Sequence, residues 1–199
     1  MANRNAERGR ATREHLVDVA AQLFATRGYE DTSIETVLRE AEVSRGSLYH
    51  HFPSKDALFW AVLERIEERT GQELAAASSV STDAVGMLRA GALSWIRLTG
   101  DPMVRRVMLI DAPAVLGWER WRQFDEEHAL GTIKTVMGAA ADAGAVEPEH
   151  VDVFAHILLA AVNEIALKIA RSDDQPTALR EAEGALEEFL SRLLTPPAR

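Results

Sequence analysis

Apolar positions recur at helical spacing along most of this chain. Leu16, Ala20, Leu23 and Phe24 fall at i, i+4, i+7 and i+8 and give one face of a helix over 12–27. Gly28 follows as a stop, because glycine accepts the left-handed conformation at a helix end. Thr32 and Glu35 have the spacing of a capping box with threonine as N-cap, and Ile34, Val37, Leu38 and Ala41 form the stripe of a short helix behind it. Ser44 is suited to cap a second short helix over 45–51, Pro53 ends that helix, and Ser54 caps a longer one over 55–74. After a loop or frayed end at 75–81, the pattern predicts helices over 83–99, from Pro102 to an interruption at Asp111-Ala112-Pro113, and over 118–143, 148–171 and 177–194. No stretch keeps the alternation of a half-buried strand. The expected fold is all-α, with about nine helices.

Two short helices joined by a four-residue turn, behind a longer helix, read as a helix-turn-helix, whose second helix lies in the DNA major groove. In SRGSLYHHFPSKDAL (44–58), Leu48 and Phe52 lie four apart and point inward with Val43. Arg45 and Tyr49 share the opposite face, flanked by Gly46 and His50. Arg45 suits bidentate reading of guanine, a contact worth about 1–3 kcal/mol in discrimination. The expected division is a three-helix DNA-binding domain at 1–56, a helix linking it onward from 55 to 74, and a second helical domain at 57–199.

Composition narrows the picture. The chain has 199 residues, a formal net charge of −9 and no cysteine, which excludes disulfides and thiolate metal sites. Residues 1–56 carry 8 basic and 9 acidic groups, a net of −1, against 14 and 22, a net of −8, over 57–199. The acidity is therefore C-terminal, and a local basic face near the N-terminus remains compatible with it. Arg4, Arg8, Arg10 and Arg13 crowd the first thirteen residues. They read either as a solvated arm or as an arm touching the DNA backbone or minor groove. The N-terminus is polar and no apolar run reaches membrane-spanning length, so a cytoplasmic protein is the default expectation. The arginine-rich, alanine-rich bias hints at a bacterial source.

The run TREHLVDVAAQLFATRGYEDTSIETVLREAEVSRGSLYHHFPSKDALFWAVL resembles the DNA-binding domain of the tetracycline-repressor (TetR) family. The resemblance covers about residues 12–63. It rests on Thr12-Arg13, Ala20-Ala21, Leu23-Phe24, Gly28-Tyr29, Thr32-Ser33, Val43-Ser44, Gly46, Leu48-Tyr49, His51-Phe52, Lys55 and Leu58. Glu42 departs from it, since the family most often has glycine in that turn. The resemblance implies that Tyr49 and Lys55 contact phosphates and that Thr32 and Ser33 contact phosphate or cap a helix. It also implies that Arg45, Gly46, Ser47 and His50 face bases or adjacent backbone, beside the capping Ser44. It implies a palindromic double-stranded operator, a homodimer, and a repressor released by a small-molecule effector, with no enzyme activity and no cofactor.

For the C-terminal region the resemblance implies an effector-binding and dimerising helical domain. Trp95, Met108, Trp121 and Phe124 are candidate walls of an apolar pocket, or plain core. The helix HVDVFAHILLAAVNEIALKIA is apolar nearly all round except at His156, Asn163 and Glu164, which serve either structure or ligand. Leu179, Ala182, Leu186, Phe189, Leu190 and Leu193 form a stripe that suits a dimer interface or a monomer core. Asp111, before Pro113, reads as a helix-end cap. Adjacent His50 and His51 point about 100° apart on a helix and are no metal pair. A metal-responsive sensor using Asp125, His128 or His156, or a helical binding protein or enzyme without a DNA role, is the competing reading. Phosphate-loop, dinucleotide, zinc-protease and nucleophile-elbow signatures are absent, and Glu147-x-x-His150 occurs once with Pro148 inside it.

Overall fold

Helix α1 spans Ala2–Arg27, some ten residues more than its apolar stripe predicts. The polar start, residues 2–11, holds three alanines and three arginines, good helix formers, so propensity favours the extension without a buried face. The computed structural model describes residues 2–194; the Arg4 side chain and the TPPAR end lie outside the described residues. Arg8, Arg10 and Arg13 are exposed on α1, so they sit on a helix and not on an extended arm.

Helices α2 (Ile34–Glu40), α3 (Arg45–His51) and α4 (Lys55–Ser78) follow. The N-cap of α2 is Ser33, whose hydroxyl accepts from the Thr36 N–H at 3.1 Å. Thr32, the expected cap, is buried and donates to the Gly28 carbonyl at 2.7 Å. Either hydroxyl satisfies the capping pattern, and the tight turn after Gly28 decides by drawing Thr32 inward. Gly28 holds φ +84, and a Cβ there would lie 2.1 Å from the Arg106 guanidinium. Glu42 also holds a left-handed backbone, φ 54, at the position where glycine was expected. The strain is about 1 kcal/mol, which glycine would not incur.

Helix α5 spans Ala84–Leu98. A wide-turned π-helical stretch, Met103–Asp111, then runs directly into α6, Ala112–Leu116. Pro113 does not interrupt it. The Ala112 N–H reaches back to the Val107 carbonyl, a five-residue step, and that widening makes room for a residue with no N–H. Helix α7 (Trp118–Asp125) continues through a second wide turn, Glu126–Leu130, into α8 (Gly131–Asp142). A short 3-10 turn at Pro148–His150 leads into α9 (Val151–Ala170), and α10 (Gln175–Leu193) completes the described chain. No strand occurs among the described residues.

The chain forms two compact units. Of the described residues, one holds 2–66 together with 102–115, and the other holds 67–101 with 116–194. Residues 102–115 thus join the N-terminal unit, which no local pattern indicates. In that unit Leu16, Phe24, Leu48, Leu58, Phe59 and Leu63 are fully buried. Phe24 and Phe59 meet edge to face at 5.3 Å between centroids, and the π-helical stretch packs on α1. Asp111, expected as a cap, lies inside that stretch. It is 8% exposed and accepts from the Tyr29 N–H at 2.7 Å, with Arg106 Nε at 3.1 Å.

In the other unit α5, α8, α9 and α10 pack together around Ile96, Met137, Ala166, Leu186 and Leu190. Leu186 and Leu190 are therefore covered by their own chain and offer nothing to a partner. The half-buried Leu179, Phe189 and Leu193 remain at the surface of α10, and Val153 and Ile157 are exposed on α9. The segment 148–170 is the one described helix long and apolar enough to cross a membrane. Half of it is buried within this unit, as expected of a core helix with one free apolar face.

Candidate DNA-binding face and effector cavity

The outward face of α3 is built by its anchors. Leu48 is 0% and Phe52 2% exposed, which fixes the helix phase and turns positions 45, 46, 49 and 50 to solvent. Ser44 caps α3 through the Ser47 N–H at 3.2 Å. Arg45, Gly46, Tyr49 and His50 are exposed, Ser47 is half-buried, and a Cβ at Gly46 would meet nothing within 4 Å. The α3 backbone can therefore approach another surface closely there. Arg45 forms an ion pair with Glu35 on α2, and the charge-assisted bond contributes to holding the Glu35 carboxyl below its usual range, after the backbone bond of Glu35 itself. Glu35 was expected to close a capping box. Its pairing with Arg45 links two short helices and was hidden because it joins residues ten apart.

Lys55 sits at the start of α4 with its ammonium 3.9 Å from the Tyr29 ring centroid. The Tyr29 hydroxyl donates to Asp56, and burial followed by that bond pushes its pKa far up. Ser33 is exposed at the start of α2. Thr32 is not on this face, for its hydroxyl is enclosed between backbone carbonyls. His51 is half-buried, with its pKa lowered by burial and by the neighbouring His50 and Arg13. The Arg13 guanidinium lies 5.1 Å from the Phe52 ring centroid.

The second unit holds a partly open cavity of about 340 Å³ between the later turns of α4, α5, the α7–α8 junction and α9. Of the residues expected to line it, Trp95 and Asn163 do. Trp121 and Phe124 are buried on α7 but turned away from it, and Met108 belongs to the other unit. His156 is half-buried and pairs with Asp152 on the side of α9 away from the cavity, and Glu164 is exposed. On a helix apolar nearly all round, Asn163 and Glu164 differ by one position, hence about 100°, and only packing sets which is inside.

Glu67, Thr70, Asp125 and His128 line the cavity together with Asn163. Asn163 Nδ2 donates to Asp125 Oδ2 at 2.6 Å. His128 Nδ1 lies 2.7 Å from the Phe124 carbonyl and donates to it, since a carbonyl can only accept. Among the described residues no group of three or more histidine or carboxylate side chains is placed to hold a metal ion. Burial pushes Asp125 up to about 6, with the bond from Asn163 opposing and the Glu67 charge adding to it. Burial also raises Glu67.

The folded pKa of Asp125 exceeds the unfolded value of about 3.9, so the folded state binds more protons between about pH 4 and 6. Stability contributed by this group therefore declines as pH rises through that window. Asp125→Asn should remove the decline and raise stability at pH 7 by roughly 1–2 kcal/mol after allowance for partial exposure. Urea midpoints of both proteins from pH 4 to 7 check this; parallel curves would refute it.

A family model described as "Tetracyclin repressor-like, C-terminal domain" matches residues 85–193, more than half of the chain. The chain belongs to the TetR family. A second model, "Bacterial regulatory proteins, tetR family", matches residues 16–62. The TetR-family transcriptional regulator of Pectobacterium atrosepticum is 29% identical, with a TM-score of 0.84 over 96% of this chain and 98% of that one. The HTH-type transcriptional regulator AcrR of Shigella flexneri is 31% identical over 110 residues, 55% of this chain and 51% of AcrR. The HTH-type transcriptional repressor NemR of Escherichia coli is 46% identical over 54 residues, 27% of each chain. The chain thus spans about half the length of AcrR and about a quarter of NemR.

Proposed function

We propose that this TetR-family chain is a ligand-responsive, homodimeric repressor of transcription. The observation that carries the reading is the α3 face: Arg45, Gly46, Tyr49 and His50 are exposed on a helix anchored by Leu48 and Phe52. Arg45 reads a base edge, while Tyr49, Ser33 and Lys55 engage phosphates and set register. The amide ends at the start of α4 favour an anion beside Lys55. In binding, Arg45 exchanges Glu35 for DNA, a small loss because the pair is exposed.

Two copies associate through the free apolar positions of α9 and α10, Val153, Ile157, Leu179, Phe189 and Leu193. Their symmetry requires a pseudo-palindromic site. An effector in the cavity shifts the population toward a spacing of the two α3 helices that no longer fits the operator. Helix α4 carries Lys55 at its start and cavity residues Glu67 and Thr70 further along, so it is the transmitting element.

Selection of bound duplexes from a random DNA library should return an inverted repeat with half-site centres about one helical turn, or a multiple, apart. Enrichment of a single unrepeated motif, or no enrichment at all, would remove the dimeric repressor reading.

A further inference from the structure

The chemistry of the cavity walls goes beyond the presence of a ligand site and restricts its ligand. Most of the lining is apolar, contributed by leucine, valine, isoleucine, alanine and methionine side chains, and it contains no lysine or arginine. Its polar groups include two carboxylates and an amide oxygen as acceptors, beside the Trp95 N–H and the hydroxyls of Thr70, Ser78, Ser79 and Thr132, which also donate. Glu67 offers a carboxylate, Asp125 retains an oxygen beyond the one bound to Asn163, and Asn163 keeps its Oδ1. The two carboxylates repel each other, and within the lining only His128 can counter their charge. Arg122 attracts Asp125 but lies outside the lining and is paired with Glu126 at 2.7 Å.

Two further polar atoms in the lining have no partner. The Trp95 indole Nε1 and the Thr70 hydroxyl are buried, at 9% and 1% residue exposure, and neither forms a hydrogen bond. Buried polar groups without partners cost stability; the Thr70 hydroxyl can accept from a ligand N–H, whereas the Trp95 N–H only donates and is not answered by such a head. Trp95 adds a π-face that favours a nearby cation.

We infer that the effector is an amphiphile with an apolar body of modest size and an N–H-bearing cationic head, a protonated amine or amidinium, seated among Glu67, Asp125, Asn163 and His128. This rests on the reading of the cavity as the effector site. A carboxylate or phosphate head would meet two like charges and no lysine or arginine. A neutral head would bring no charge of its own to the two carboxylates. A bare metal ion would leave the apolar majority of the cavity unfilled.

Calorimetric titration of the full chain with octylamine, octan-1-ol, octanoate and octyltrimethylammonium tests the inference at constant chain length. Octylamine should bind about tenfold or more tighter than each of the others. Glu67→Gln and Asp125→Asn, each close to isosteric, should bring octylamine and octan-1-ol to within about threefold of one another, with melting curves confirming that both variants are folded. Octan-1-ol, octanoate or octyltrimethylammonium binding as tightly as octylamine would overturn the inference, as would octylamine failing to bind. Release of the selected operator is measured in parallel. Octylamine that binds with the expected preference yet leaves DNA affinity unchanged keeps the ligand class and removes the regulatory reading.

Discussion

Asp111→Ala should lower the unfolding free energy by roughly 2–3 kcal/mol. The carboxylate is 8% exposed and does two jobs. It accepts from the Tyr29 N–H at 2.7 Å and pairs with Arg106 at 3.1 Å. Alanine leaves the Tyr29 N–H without its acceptor at a turn already constrained by the left-handed Gly28. It also leaves Arg106 against Gly28 with no counter-charge. The Arg106 side chain is 43% exposed, so water recovers part of that loss and most of the effect falls on the backbone donor. Asp111→Asn keeps an acceptor for Tyr29 and should lose clearly less than alanine. Urea unfolding of the three proteins decides it. Equal losses for Ala and Asn would assign the effect to charge alone, and two wild-type midpoints would mean that the contact does not hold the π-helical stretch in place.

That contact also shows where reading the chain stops. It joins residues 82 positions apart, and nothing near Asp111 distinguishes it from the helix-end cap that its proximity to Pro113 suggests. The local signals were legible: the N-caps at Ser44 and Ser54, the stop at Gly28, and the phase of α3 set by Leu48 and Phe52. The α3 face follows from that phase because a short helix with two inward apolar residues has one way to lie. The cavity does not follow from any such rule. Its carboxylates, amide and imidazole come from α4, α7, the second wide turn and α9. Asp125 and His128 were visible as a metal-binding alternative, but Glu67 and Thr70 lie on an ordinary amphipathic helix. Trp121 and Phe124 stand out by size, and size alone does not separate a cavity wall from filled core. Leu186 and Leu190 fit a dimer stripe as well as a core stripe, and only their burial under α5 and α9 settles which they are.

The double substitution Arg45→Ala, Tyr49→Ala should reduce affinity for the selected operator by about 100-fold or more while leaving the fold intact. Both side chains are exposed, Arg45 contributing only a surface ion pair to stability and Tyr49 standing 43% exposed. On the proposed reading the two parts of the loss differ in kind. Arg45→Ala removes base reading, so it should relax preference at one position in each half-site, at about 1–3 kcal/mol per base contact. Tyr49→Ala removes a phosphate contact, so operator and unrelated DNA should weaken alike. Glu35→Ala supplies the opposite sign. It frees Arg45 from its partner and removes a carboxylate beside the DNA face, so affinity should rise. Fluorescence anisotropy on operator and scrambled duplexes, at two salt concentrations, separates these effects. Loss of operator affinity with unchanged discrimination in Arg45→Ala would move base reading elsewhere on α3. Wild-type binding by the double variant would place the DNA on a different surface altogether.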